Sequence, residues 1–210
     1  MQNGEKRLII IGAGGHGKVV ADIANRLGNY ADIAFLDDDE SITKVGNYLC
    51  EGTTERLKTE SKQTEVFVAI GNNVTRRRVL NMVETEGFCV PTLIHPNAVI
   101  GEDVRIAAGT VIMAGAVINS GAVIGKGVIV NTSSSIDHDC IIEDFVHIAV
   151  GAHVAGTVRI GETTWIGAGA IVNNNIRVIS NSMIGAGAVV IKDIIDSGTY
   201  VGVPAKRIGL

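Results

Sequence analysis

From Ile94 onward an aliphatic residue returns at every sixth position: Ile94, Ile100, Ile106, Ile112, Ile118, Ile124, Val130, Ile136, Ile142, Ile148, Val154, Ile160, Ile166, Val172, Val178, Ile184 and Val190. All seventeen are Ile or Val, and no insertion interrupts the count. Two residues before most of them stands a small or aliphatic side chain, as at Thr110, Ala116, Ala122, Ser134, Cys140 and Ala152. A period of six matches neither an α-helix nor a hairpin meander, but it suits short flat strands joined by tight turns around a solenoid. Each recurring Ile or Val then points inward. Three hexads close one triangular coil, so residues 18 apart stack, and the 96 residues from Ile94 to Val190 make about 5.3 coils at a strand spacing of about 4.8 Å. The glycines that follow the aliphatic residue, as in IGEDV, IGKGV and IGETT, are expected to supply turn conformations that a Cβ resists.

The first 90 residues carry a different pattern. RLIII predicts a buried strand, Gly17 to Leu27 a helix, DIAFLDDD a second strand, VFVAIG a third, and NVTRRRVLNMVETEG an amphipathic helix ended by Gly87. Strands alternating with helices imply a parallel sheet. The expected organisation is therefore a small α/β unit over 1–90, a Rossmann-like half domain, followed by an all-β solenoid over 91–210.

Composition narrows the function. The chain has 210 residues with 26 glycines, 46% hydrophobic and only 4% aromatic content, so its apolar residues are mostly Ile, Val and Ala. A net charge of −4, from 18 basic and 22 acidic residues, provides no field to attract nucleic acid or an anionic membrane. Cys50, Cys89 and Cys140 have neither disulfide-framework nor zinc spacing and are expected to be reduced, buried thiols. No metal-ligand cluster is visible. The N-terminal apolar run is too short for a signal peptide or a membrane span, which leads to an expected cytoplasmic location.

GAGGHG, Gly12 to Gly17, satisfies GxGxxG, and Asp37 lies 20 residues beyond it, so the dinucleotide fingerprint is formally present. The space before the solenoid holds one mononucleotide half, not the two that a nicotinamide cofactor needs. What survives is the physics of the loop, in which backbone N–H groups at a helix N-terminus attract a phosphate that glycine allows close. His16 adds a possible hydrogen bond. Asp37 and Asp38, taken alone, read as a solvated strand end, and the run Arg76, Arg77, Arg78 as a solvated helix face.

The motifs GAGGHGKVV, FLDD, AIGNN, LIHP, NTSSSIDHDC and GVPAKR together resemble bacterial nucleotide-sugar N-acetyltransferases of the PglD/NeuD type, in the hexapeptide-repeat acyltransferase superfamily. That resemblance implies a left-handed parallel β-helix, a homotrimer with active sites between protomers, and acetyl-CoA as co-substrate without a metal. It implies contacts of Gly14, Gly15 and His16 with a UDP-sugar, with Asp37, Asp38 and Gly71 at its nucleotide end. His147 and the backbones of Ala168 and Ala186 are implied in binding acetyl-CoA. Lys206, with Lys192 and Arg207, is placed to meet the phosphates of coenzyme A or to remain solvated.

His138, two residues after the inward Ile136, should leave the coil surface, and histidine titrates where a general base for amide formation must. The resemblance puts the catalytic His at this position with an acidic residue, Asp139, after it. Strand neighbours face opposite sides, so Asp137, Asp139 or a group of another protomer remain open as its partner. Gly156 stands 18 residues above His138, and its unshielded N–H is a candidate oxyanion donor. His95 and His153 read as structural. The expected activity is transfer of acetyl from acetyl-CoA to the 4-amino group of a UDP-linked 4-amino-4,6-dideoxy sugar. The alternatives are O-acetylation of a sialic acid, N-acetylation of a GDP-linked amino sugar, and a non-catalytic scaffold or nucleotide-sugar sensor.

Overall fold

The computed structural model describes residues 6–209. The chain divides between Pro96 and Asn97 into two compact units. In the first, β1 (Lys6–Ile11), α1 (Gly15–Leu27), β2 (Tyr30–Leu36), β3 (Lys44–Val45), β4 (Tyr48–Leu49), a 3-10 turn (Thr54–Thr59), β5 (Glu65–Val68) and α2 (Asn73–Thr85) follow in order. β1, β2 and β5 form a parallel sheet in the order β2-β1-β5, as the alternation of strands and helices implies. Leu8 faces Ile33 on one side and Glu65 on the other. The continuous apolar run of β1 has a plain cause, since Leu8, Ile9 and Ile10 are fully buried. α1 buries Val20, Ala21, Ile23 and Ala24 and begins at Gly15, two residues before the expected start. α2 starts where the Asn72 side chain accepts the Thr75 N–H at 2.9 Å.

The second unit is a parallel β-solenoid. Each of the recurring Ile and Val residues from Ile100 to Val190 is the second residue of a two-residue strand, and from Ile112 onward every one is buried. Successive coils pair with a constant offset of 18, as in Val117↔Ser135, Ile141↔Arg159 and His147↔Trp165. Three faces result. The first carries Ser135–Ile136 and His153–Val154, the second Ile141–Ile142 and Arg159–Ile160, the third His147–Ile148 and Trp165–Ile166. Burial of one such Ile or Val contributes roughly 1.5–3 kcal/mol. The count changes at the end, where Ile194 bridges Val178 and Thr199–Val201 pairs with Lys206–Ile208 as an antiparallel hairpin holding the GVPAK turn.

The glycines after the aliphatic residue do not supply the turns. The left-handed backbone falls three residues after it, at glycines such as Gly109, Gly121 and Gly127, and equally at Asp103, Ser133, Asp139, Phe145, Thr157, Thr163, Asn175 and Asn181. Gly101 and Gly125 are needed instead because adjacent coils approach too closely: a Cβ there would lie 2.7 Å from the backbone nitrogens of Ser120 and Asp144, respectively. The thiols also depart from expectation. Cys140 is buried, Cys50 half-buried, and Cys89 exposed.

Candidate functional site

His138 and Asp139 follow Ile136 at the corner that ends the first face of the solenoid. Asp139 adopts φ 57°, a left-handed conformation that Asp tolerates better than most residues. This turn swings its carboxylate back toward its neighbour, so Oδ2 lies 2.9 Å from His138 Nδ1. The alternation that separates strand neighbours does not apply at the corner. Asp137 takes a different part of the same residue, accepting the His138 backbone N–H at 2.8 Å. The same Asp137 oxygen accepts the Asn119 side-chain N–H at 2.8 Å. Only its spacing marks Asn119 in the sequence, 18 residues below Asp137 and so in the stacked position.

The electrostatics follow these contacts. The hydrogen bond to Asp139 holds the His138 imidazole above its ordinary pKa, and the charge of Asp137 adds to it. Asp137 itself is held below the usual carboxylate range, first by the Asn119 bond and then by the His138 backbone. With Nδ1 directed to a carboxylate, the second ring nitrogen is the one left to accept a proton. That nitrogen sits over Gly156, where a Cβ would come within 2.5 Å of Nε2. Among the described residues the Gly156 N–H has no acceptor.

The other solenoid candidates lie elsewhere. His147 belongs to the third face and is 5% exposed. Its ring packs on Trp165 with centroids 4.0 Å apart, and its Nε2 is 3.2 Å from Asn131 Nδ2. Ala168 and Ala186 are exposed at the corner that ends the third face, where the Ala168 carbonyl accepts the Gly187 N–H at 2.8 Å. Lys206 is exposed on the terminal hairpin, as is Lys192 before it, while Arg207 donates to the Ser197 carbonyl at 2.8 Å. His153 shares a hydrogen bond with Ser135 at 2.8 Å. Within one chain, then, His138, Asp139 and Gly156 are together, and His147, Ala168, Ala186 and Lys206 are not with them.

In the α/β unit the glycines of GAGGHG divide into two kinds. Gly12 has φ 107°, and a Cβ on Gly17 would run into the Gly12 carbonyl oxygen; both are required by the turn. Gly14 and Gly15 have nothing near where a Cβ would be, and no side chain caps the helix that starts there. The loop thus leaves open space at a positive helix end, the condition for anion approach. Asp37 and Asp38 follow the end of β2, the first half-buried and the second exposed, and both carboxylates are also engaged. Asp37 accepts the Ala13 N–H at 2.7 Å and the Asp39 N–H at 3.0 Å, and Asp38 accepts the Thr54 N–H at 3.0 Å and its hydroxyl at 2.8 Å.

Arg76 overturns the reading of the arginine run as one solvated face. It is 1% exposed and donates to the carbonyls of Ile70 at 2.9 Å and Gly71 at 3.0 Å, and to Asn73 Oδ1 at 2.8 Å. Arg77 is half-buried and Arg78 exposed. Burial lowers the Arg76 pKa to about 9. Burial, with Arg76 acting in the same direction, lowers that of His16 to about 4. No helix among the described residues is long and apolar enough to cross a membrane, and no cluster of three metal-binding side chains occurs among them.

Comparison with known proteins adds three relatives. Residues 7–83 match the PglD N-terminal domain family. The acetyltransferase domain of PglB from Neisseria gonorrhoeae, solved in complex with acetyl coenzyme A, is 45% identical, with a TM-score of 0.94 over 98% of this chain and 100% of that one. PerB from Caulobacter crescentus, solved with CoA and GDP-perosamine, is 35% identical, with a TM-score of 0.92 over 96% of this chain and 97% of that one. UDP-N-acetylbacillosamine N-acetyltransferase of Bacillus subtilis is 35% identical over 110 residues, 51% of each chain.

Proposed function

Because this chain belongs to the PglD-type nucleotide-sugar N-acetyltransferases and is an acetyl-CoA-dependent enzyme acting on nucleotide-linked amino sugars, we propose that His138 is its general base. The observation that carries this reading is the His138 ring itself, engaged by Asp139 through Nδ1 and presenting Nε2 over Gly156. The sugar amine attacks the thioester carbonyl of acetyl-CoA, and His138 Nε2 takes the proton that the nitrogen must shed. Asp139 orients the ring and favours the imidazolium. The Gly156 N–H faces the thioester carbonyl oxygen in this reading and offsets the charge that develops there. Collapse forms the amide and releases the thiolate of coenzyme A, to which the imidazolium returns the proton. Atoms and charge balance without any further reactant.

The acceptor in this reading is a UDP-linked 4-amino-4,6-dideoxy sugar contacted by Gly14, Gly15 and His16, with Asp37, Asp38 and Gly71 at its nucleotide end. His147, Ala168, Ala186 and Lys206 serve acetyl-CoA. Their separation from the His138 corner within one chain supports a homotrimer whose sites join groups of two protomers. A GDP-linked amino sugar is the second reading, favoured by the relative solved with GDP-perosamine. Thiol release from acetyl-CoA, measured against UDP- and GDP-linked 4-amino sugars and free sialic acid, separates them. Turnover with the UDP-linked amine is expected, and turnover restricted to the GDP-linked amine or to sialic acid would replace the acceptor. Static light scattering giving a monomer mass at micromolar concentration would remove the shared site.

A further inference from the structure

We infer that Gly121, one coil below Asp139, is a positioning residue: having no side chain, it leaves the space in which the Asp139 carboxylate lies when it engages the His138 ring. The inference rests on the reading of His138 as general base with Asp139 as its orienting partner.

The turn alone does not call for glycine at 121. Asp103, Asp139, Thr157 and Asn175 occupy the same corner in other coils and hold the same left-handed backbone, with φ between 57° and 60° beside 75° at Gly121. A residue with a Cβ is thus accepted there in the coil below and in the coils above. What sets 121 apart is the side chain over it. A Cβ on Gly121 would lie 2.7 Å from Asp139 Oδ1, well inside ordinary van der Waals contact, and 3.7 Å from the carboxylate carbon.

Either the backbone or the carboxylate would have to move. The Gly121 N–H donates to the Glu102 carbonyl at 3.0 Å, and the Asp139 N–H to the Ser120 carbonyl at 3.1 Å, so the coils are tied together at this corner. The exposed carboxylate is the part that gives way. Its two oxygens are held rigidly in one plane, and Oδ1 cannot leave without carrying Oδ2 from the 2.9 Å contact with His138 Nδ1. The next pair up the column shows the alternative. Thr157 and Asn175 hydrogen-bond to one another, and a polar side chain at 121 would offer Asp139 such a partner in place of His138.

Two neighbours in the lower coil therefore serve the corner, Asn119 by donating to Asp137 at 2.8 Å and Gly121 by making room for Asp139. Asp139 and Asp137 are the charged groups acting on the His138 ring among the described residues. The coil above presents Gly156 and Thr157, the coil below Asn119, Ser120 and Gly121, none of which titrates. Cys140 turns its thiol to the Ala155 carbonyl at 3.1 Å. Displacing Asp139 leaves Asp137 as the one carboxylate raising the affinity of the ring for a proton.

The test compares Gly121→Ala with Asp139→Gly, which keeps the left-handed turn and removes the carboxylate, and with the double variant, each in the full chain. Two quantities are read: the pH profile of kcat/KM, and the His138 pKa from its ring-proton NMR signal, assigned by its absence in His138→Asn. Gly121→Ala is expected to lower the His138 pKa and the inflection together and to reduce kcat about tenfold, with KM for both substrates kept. In the double variant Gly121→Ala should cost nothing beyond Asp139→Gly, because the contact it disturbs has already gone. A His138 pKa unmoved by Gly121→Ala, or losses that multiply in the double variant, would overturn the inference. Gly121→Asn adds the same Cβ with a residue that this turn accepts at Asn175, and it decides the matter should the alanine variant not fold. A His138 pKa that falls while the kcat/KM inflection stays in place would instead put the failure in the reading of His138 as base.

Discussion

The two units hold their functional groups in place by opposite means. In the solenoid, residues 18 apart are stacked by the register alone, and the His138 corner is built by local steps: a left-handed Asp139, a carboxylate from Asp137, and a glycine one coil away. In the α/β unit, the glycine loop is held by side chains from far along the sequence, Asp37 on the Ala13 N–H and Arg76 on the Ile70 and Gly71 carbonyls. A periodic scaffold delivers precision through counting; an aperiodic one needs individual polar anchors. Damage to the first should therefore fall on the chemical step, and damage to the second on nucleotide affinity.

The largest expected effect tests the corner. His138→Ala should lower kcat by about 100-fold or more, the usual worth of a general base, while both substrates still bind. Near wild-type turnover would remove His138 from the mechanism. Asp139→Asn is milder and more specific. A base must be deprotonated to act, so kcat/KM rises with pH through the His138 pKa, which the hydrogen bond to Asp139 holds above that of an ordinary imidazole. Removing the carboxylate should shift that inflection downward and cost about tenfold in kcat; an unmoved inflection would show that another group sets the base. The smallest effect belongs to the other unit. Asp37→Ala frees the Ala13 N–H, and a several-fold rise in KM for the nucleotide sugar with unchanged kcat is expected from one lost hydrogen bond. If kcat fell instead, the division between the two units would not hold.

The same contrast governs what could be read from the sequence. The solenoid and the stacking of Gly156 on His138 follow from the sixfold period, because a count without insertions carries three-dimensional position. Asp139 could not be separated from Asp137 that way, since the choice turns on a backbone dihedral that no side-chain pattern records. The coil glycines illustrate the same limit. IGEDV invites a conformational explanation, but Gly101 answers to the approach of the neighbouring coil. In the α/β unit, TRRR looks like a charged helix face, and nothing local marks Arg76 as the member that turns inward. Its partners, Ile70 and Gly71, offer carbonyls rather than carboxylates, which leave no trace in the identity of the residue. The hydrogen bonds of Asp37 and Asp38 escape notice for a related reason, because backbone amides are their donors.

The constant offset of 18 also works as a reading frame. One residue inserted between Ile118 and Ile136 would leave the coils on either side able to form, yet would carry His138 off the corner it now occupies. The lengths that can be gained or lost without shifting the site are whole coils, so the solenoid can vary only in discrete steps, whereas no such count binds the α/β unit, whose glycine loop is held by individual contacts.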